Sequence, residues 1–326
     1  MTLIGRIVLA ALALATATPM TAGAQGFPDR QVTVILPIGP GGGTDILARL
    51  IAAKLSTAWR QPVVVDHKIG GQGSIAGKFV ARSKPDGYTV FLAAAGNITI
   101  SPLLSDLGYD PMKELVPVTV LASAPYVLVV NPDRVTARDI RGFVELARSQ
   151  PGKVSWGSST IGSPDHLAGE LFQMQAGVKM NHVPYKQAGL AITDLLGGHI
   201  HAGFLTIPST LQHIQRGQMR ALGVSDSSRS SLLPEVPTIE EAGVRDYSML
   251  TWYGIFVPVG TPAPIIQKIA DDSAATLKQD DVQRKLAELG FDPKGLSPRE
   301  VGGFIRAEVV KYGKVVDATG LKGRVQ

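Results

Sequence analysis

Pro37-Ile38-Gly39-Pro40-Gly41-Gly42-Gly43-Thr44-Asp45 separates two segments of different periodicity, and that change sets the fold class. Val32 to Leu36 is a short run rich in β-branched residues, whereas Ile46, Leu47, Leu50, Ile51, Leu55 and Ala58 recur at helical spacing. A strand therefore ends at the loop and a helix begins after it. The glycines let the backbone approach a ligand closely, and the first amides of a helix have no partner within it, so N–H groups and the positive dipole end converge there. A carboxylate or phosphate fits such a point. The same residues also fit a helix capped by Thr44 and Asp45, with glycine merely turning the chain.

Residues 1 to 24 stand apart from the fold. Arg6 supplies a small positive region, Ile7 to Ala17 an apolar run, and Ala22-Gly23-Ala24 a small-residue cleavage site before Gln25, which predicts a secretory leader and export. The apolar run is short for a membrane span, so the exported chain is expected to be soluble. With no cysteine anywhere, lipid attachment through a thiol, disulfides and thiolate metal sites are excluded. The formal net charge is +5, one unit of which is Arg6. The excess is mild and no basic stripe is interleaved with aromatics, so no nucleic-acid partner is expected.

From Gln25 onward the 326-residue chain is long enough for two packed units, and strand-like and helix-like segments alternate through it, as in α/β layers on a mainly parallel sheet. Pro62 to Asp66 and Tyr88 to Ala94 read as strands, Ser74 to Ser83 as a helix and Gly96 to Asp110 as a loop. Val116 to Val130 is a long extended run interrupted by Pro125, a place to cross between units. Lys153 to Gly157 then reads as a strand. Ser158-Ser159-Thr160-Ile161-Gly162-Ser163 follows as a hydroxyl-rich loop, and Pro164 opens a helix with Ser163 as N-cap and Leu167, Leu171 and Met174 inward. One cap needs one hydroxyl, and this loop offers four, so it fits either a ligand site or simple capping. Strands at Ile200 to Leu205, Ala221 to Ser225 and Trp252 to Pro258 complete the pattern, with helices after Pro264; the last strand returns to the first unit and makes it discontinuous.

Other chemistries fail on spacing. Gly71-Gln72-Gly73-Ser74-Ile75-Ala76 has the form GxGxxA, but the next strand ends Ala93-Ala94-Ala95-Gly96-Asn97 without the acid a dinucleotide site needs. Gly157-Ser158-Ser159-Thr160-Ile161 nearly spells a nucleophile elbow, yet Ile161 stands where the second glycine belongs. His199 and His201 share a face if both lie on a strand, and His213 follows, but no fourth ligand is placed, so no metal is expected.

The ordered set of Phe27-Pro28-Asp29-Arg30, Pro37 to Asp45, Gln61 to Val65, Lys84-Pro85-Asp86-Gly87-Tyr88, Ser163 to Leu167, Val183-Pro184-Tyr185-Lys186, Asp194 to Gly198, Leu233 to Thr238 and Pro258 to Pro262 resembles the Bug-type periplasmic solute-binding proteins. These are the extracytoplasmic receptors of tripartite tricarboxylate transporters. The resemblance spans essentially the whole exported length. It implies an α/β, two-lobed periplasmic binding protein of type II, or Venus-flytrap, form with a ligand cleft between lobes. Lobe 1 would comprise residues 25–124 and 249–326, and lobe 2 residues 125–248. It further implies a monomeric, periplasmic, non-enzymatic receptor without cofactor. Its partners would be a small carboxylate (a di- or tricarboxylate, aromatic acid or acidic amino acid) and either membrane transporter subunits or a signalling partner.

Carried over residue by residue, the resemblance assigns ligand contacts to Ile38, Gly42, Gly43 and Thr44 in the first loop and to Ser159, Thr160, Gly162 and Ser163 in the second, with Ala95, Asn97 and Tyr185 lining the cleft. Asp45 is expected to orient the loop rather than touch an anion. Ile38, Gln187 and His201 depart from the family pattern, and a histidine in place of an acid at 201 is expected to alter ligand preference. An exported serine hydrolase using Ser159 or Ser163, or an orphan sensor serving a signalling partner, are the alternative functions.

Overall fold

The protein is described by a computed structural model covering residues 26 to 322; the expected leader, 1 to 24, lies outside the described residues. The β-branched run forms β1 (Val32–Leu36), paired in parallel with β2 (Val63–His67) and β3 (Thr89–Ala94). Helix α1 (Gly43–Trp59) buries Leu47, Ile51 and Leu55 against Val32, Val34 and Leu36, and α2 (Ser74–Ala81) covers the sheet through Ala76 and Val80. Apolar spacing of three to four residues puts those side chains on one face, which is why the helices lie flat on the strands.

The long extended run is a single strand, β4 (Leu115–Val130), and it joins two sheets. From Leu115 to Pro125 it runs antiparallel to β9 (Leu250–Pro258), which continues the first sheet beside β3. From Tyr126 to Val130 it pairs instead with β7 (Ala202–Thr206) and β8 (Arg220–Val224). The change of partners falls at Pro125, which has no N–H to give a ladder. Beyond β7 the second sheet continues in parallel with β5 (Ser155–Ser158) and β6 (Asn181–Pro184), and the short β10 (Asp292–Pro293) pairs with the first half of β4. The molecule is two-lobed, with β4 running from one sheet into the other and the chain returning to the first lobe where β9 begins, Leu250 lying opposite Pro125.

Helices α3 (Ser101–Leu104), α4 (Pro111–Glu114) and α5 (Ile140–Ser149) come before β5; α6 (Pro164–Ala176) follows β5, α7 (Ala188–Leu196) follows β6 and α8 (Ile207–Gln215) follows β7, while α9 (Ala263–Leu277), α10 (Asp280–Leu289) and α11 (Pro298–Thr319) come after β9. Trp156, Phe172 and Phe204 form the aromatic centre of the second lobe. Met174 is exposed rather than inward, because the buried face of α6 is centred on Ala168 and Phe172. The expected loop after Gly96 is helical: a π-turn over Gly96–Ile100 buries Ile98 and Ile100, and the Thr99 hydroxyl holds it by donating to the Ala95 carbonyl at 2.6 Å. Among the described residues no helix is long and apolar enough to cross a membrane.

Candidate functional site

A cavity of about 550 Å³ lies between the lobes, and most of its wall is made of the places where strands give way to helices. The starts of α1, α2, α6, α7 and α8 all border it, through Gly42 to Thr44, Gly73, Ser163 to Asp165, Gln187 and Ala188, and Thr206. Each start presents amides without helical partners and the positive end of a dipole, so their convergence makes a region suited to an anion. The floor is formed by Tyr126, Thr251 and Tyr253 from β4 and β9, at the crossing between lobes. Burial raises the hydroxyl pKa of Tyr126 and Tyr253, and the nearby Asp165 raises both further, so each remains a neutral hydrogen-bonding group.

The first loop builds its part from backbone. Gly42 is the N-cap of α1, no side chain caps the helix, and the first helical bond joins the Ile46 amide to the Gly42 carbonyl at 3.1 Å. The amides of Gly43, Thr44 and Asp45 therefore precede the ladder. Asp45 is turned away from capping: one carboxylate oxygen accepts from the Gly41 amide at 3.2 Å, and the other accepts from Arg49 at 3.0 Å and faces His67 Nε2 at 3.3 Å. His67 Nδ1 donates to the Ile38 carbonyl at 2.7 Å, so one carboxylate and one imidazole brace both ends of the glycine loop. A Cβ at Gly43 would fall 2.5 Å from the Tyr253 hydroxyl, too close for any residue but glycine in this packing.

In the second loop the hydroxyls are largely engaged. Ser158, fully buried, meets His182 at 2.7 Å; Ser159 gives its amide and hydroxyl to Asp165 at 2.5 and 2.8 Å; Ser163 donates to the Thr160 carbonyl at 2.6 Å and caps α6 by accepting from the His166 amide. Ser159 and Ser163 thus have no histidine beside their hydroxyls, and the serine that does is sealed from any substrate. A hydrolase site is not assembled here.

Of the residues singled out in the sequence, Ile38, Gly42, Gly43, Thr44, Asn97, Ser159, Thr160 and Ser163 border the cavity. Asn97 is pinned there, accepting from the Ala94 amide at 3.1 Å and donating to the Gln72 carbonyl at 3.2 Å. Three lie off the wall. Ala95 is fully buried in the core between two residues that do line the cavity. Gly162 uses its amide on His166 Nδ1 at 2.9 Å and faces Leu104. The Tyr185 hydroxyl donates to Asp194 at 2.7 Å, leaving the wall to Lys186 and Gln187.

Gln187 meets Gly39 across the cleft, and Pro164 meets Gly96, so the lobes touch at two edges of the cavity. His201 is not on the wall; it sits in the turn before β7 with its ring on the amide and hydroxyl of Ser155, at 3.1 and 2.8 Å. It therefore shares no strand face with His199, and no cluster of three metal-binding side chains occurs among the described residues. Tyr126, Tyr253, Asp165, Thr206 and Ser209 were not anticipated. The tyrosines lie on strands that read simply as core, but Thr206-Ile207-Pro208-Ser209 repeats the hydroxyl-proline helix start of Ser163-Pro164 and was a usable signal.

Comparison with known proteins gives this arrangement its family. The model of the tripartite tricarboxylate transporter family receptor matches residues 47–321. BugT of Bordetella pertussis is 34% identical over 302 residues, covering 92% of this chain and 92% of that protein. Rpa4515 of R. palustris, solved with adipate, is 36% identical with a TM-score of 0.88 and covers 90% of this chain and 98% of its own. MatC of Rhodopseudomonas palustris, solved with bound malate, is 29% identical with a TM-score of 0.83 and covers 89% and 100%. The chain belongs to the tripartite tricarboxylate transporter receptor family of Bug-type solute-binding proteins, and it is a binding receptor rather than an enzyme.

Proposed function

We propose that this receptor captures a small carboxylated metabolite in the cavity between its lobes, in the periplasm, and presents it to a tripartite tricarboxylate-type transporter. The observation that carries the reading is the convergence of helix starts on one cavity, with the unpartnered amides of Gly43 and Thr44 at the end of a loop that no side chain caps. The adipate and malate held by two relatives support an acid as the class of ligand. In this reading lobe 1 spans residues 25–124 and 249–326 and lobe 2 spans 125–248, and β4 and β9 flex where they cross. Binding then draws the two sets of helix starts onto one anion and excludes water, which strengthens each hydrogen bond.

The test is a thermal-shift series with mono-, di- and tricarboxylates, aromatic acids and acidic amino acids, each beside its neutral amide. A true ligand at 100 times its dissociation constant stabilises the fold by about 2.7 kcal/mol. Acids are expected to raise the melting temperature and their amides to leave it unchanged. Stabilisation by neutral compounds alone contradicts the proposal.

A further inference from the structure

We propose that Asp165 makes this receptor selective for acids that carry a hydroxyl or ammonium donor close to their carboxylate, an inference that rests on the function proposed above. Asp165 is the second residue of α6 and borders the cavity, yet it is only 5% exposed. Its two oxygens accept from the amide of Ser159 at 2.5 Å and from the Ser159 hydroxyl at 2.8 Å. Of the donors that the second loop would offer to a ligand carboxylate, those of Ser159 are thus already turned onto the chain's own, while Thr160 still borders the cavity. A second anion there would have to displace Asp165 or lie beside a like charge.

Among the described residues no Lys, Arg or His side chain is paired with this carboxylate, and burial, its largest influence, raises its pKa. The Ser159 amide and hydroxyl, the Ser163 hydroxyl and Asp165's own amide all favour its charged form, but none of them is a cation. A buried carboxylate with no cation beside it is costly, and a ligand ammonium or hydroxyl reaching it from the cavity offsets that cost, where a bare methylene offsets none. The Tyr253 hydroxyl stands over Gly43 at the start of α1, and Gly43, Tyr253 and Asp165 all line the cavity. The amides that attract an anion and the carboxylate that attracts a donor therefore border one cavity. A ligand that carries both groups near each other meets both demands, and a plain acid leaves one unmet, which is how a site discriminates between otherwise similar molecules.

The experiment is calorimetric titration of the wild type, Asp165→Asn and Asp165→Ser with two matched series: succinate, malate and aspartate; phenylacetate, mandelate and phenylglycine. In at least one series the hydroxyl- or amino-bearing member is expected to bind ~10-fold or more tightly than its parent acid. Asp165→Ser, which frees the Ser159 donors, is expected to bring that ratio close to one and to tighten binding of the parent acid. Asp165→Asn keeps the shape and is expected to lower the ratio as well. Equal binding within both series by the wild type overturns the proposal, as does a ratio that survives in both variants. If the wild type binds none of the acids in these or the wider panel, the carboxylate reading itself fails and this inference falls with it; binding without preference refutes the inference alone.

Discussion

His182 stacks on His166 with ring centroids 4.0 Å apart and lies 4.4 Å from Trp156, beneath the second loop of the cavity. Burial first, and the neighbouring His166 second, push its pKa down to about 3. In the unfolded chain a histidine takes a proton near pH 6.5, so from about pH 6.5 down to 3 the unfolded state binds more protons and the fold loses stability as pH falls. Asp165 acts in the opposite sense: its raised pKa gives stability that is fully present at low pH and is lost as pH rises through its folded value. The wild type is therefore expected to lose more melting temperature than His182→Asn between pH 6.5 and 4, and identical slopes would contradict the assignment. At this scale legibility depended on how local each signal was. Gly42, Gly43 and Thr44 announced themselves because a glycine loop before a helix has few uses. Ser159 and Tyr185 did not reveal their state, since a free hydroxyl and one already bonded to Asp165 or Asp194 look the same in sequence.

Ser225, just beyond β8, clasps the place where β4 leaves one sheet for the other. Its hydroxyl accepts from the Tyr126 amide at 2.7 Å and donates to the Met249 carbonyl, while its own backbone bonds the same two residues at 2.8 and 2.9 Å. The side chain is fully buried, so Ser225→Ala strands one donor and one acceptor away from water. A loss of about 2 to 4 kcal/mol is expected, read as a lower urea midpoint with an unchanged slope. A change below about 0.5 kcal/mol would show that the clasp carries little of the crossing. Element boundaries were legible wherever a β-branched run or a helical stripe met glycine or proline, as at Leu36, Ser163 and Pro258. The turn at Gly96–Ile100 was not: Gly96-Asn97 reads as the start of a loop, and only the packing of Ile98 and Ile100 makes the segment helical. The start of α8 was passed over because Thr206 ends a strand that reads as core.

At the scale of the molecule, the cavity is the product of long-range pairing. Tyr253 reaches it because β9 pairs Tyr253 with Ala122 and Ala94, residues more than a hundred positions away, and no local pattern encodes that register. Two units and their crossing at Pro125 could be read from chain length and the long extended run, and the two-lobed form followed from the family resemblance, whereas the floor of the cleft could not be read. What unites the levels is one claim: an acid's carboxylate enters between the lobes and is held by the first amides of α1 under the Tyr253 hydroxyl. Gly43→Ala tests it without adding charge, since the new Cβ would fall 2.5 Å from that hydroxyl, and the tyrosine is too buried to step aside. The measurement is calorimetric titration of the intact receptor and of Gly43→Ala with the acid that most raises the melting temperature, and with the primary amide of that acid. The account predicts one acid bound per chain, no binding of the amide, and affinity weakened ~10-fold or more in Gly43→Ala. An amide that binds as tightly as the acid, or a Gly43→Ala variant that binds it undiminished, would contradict the account.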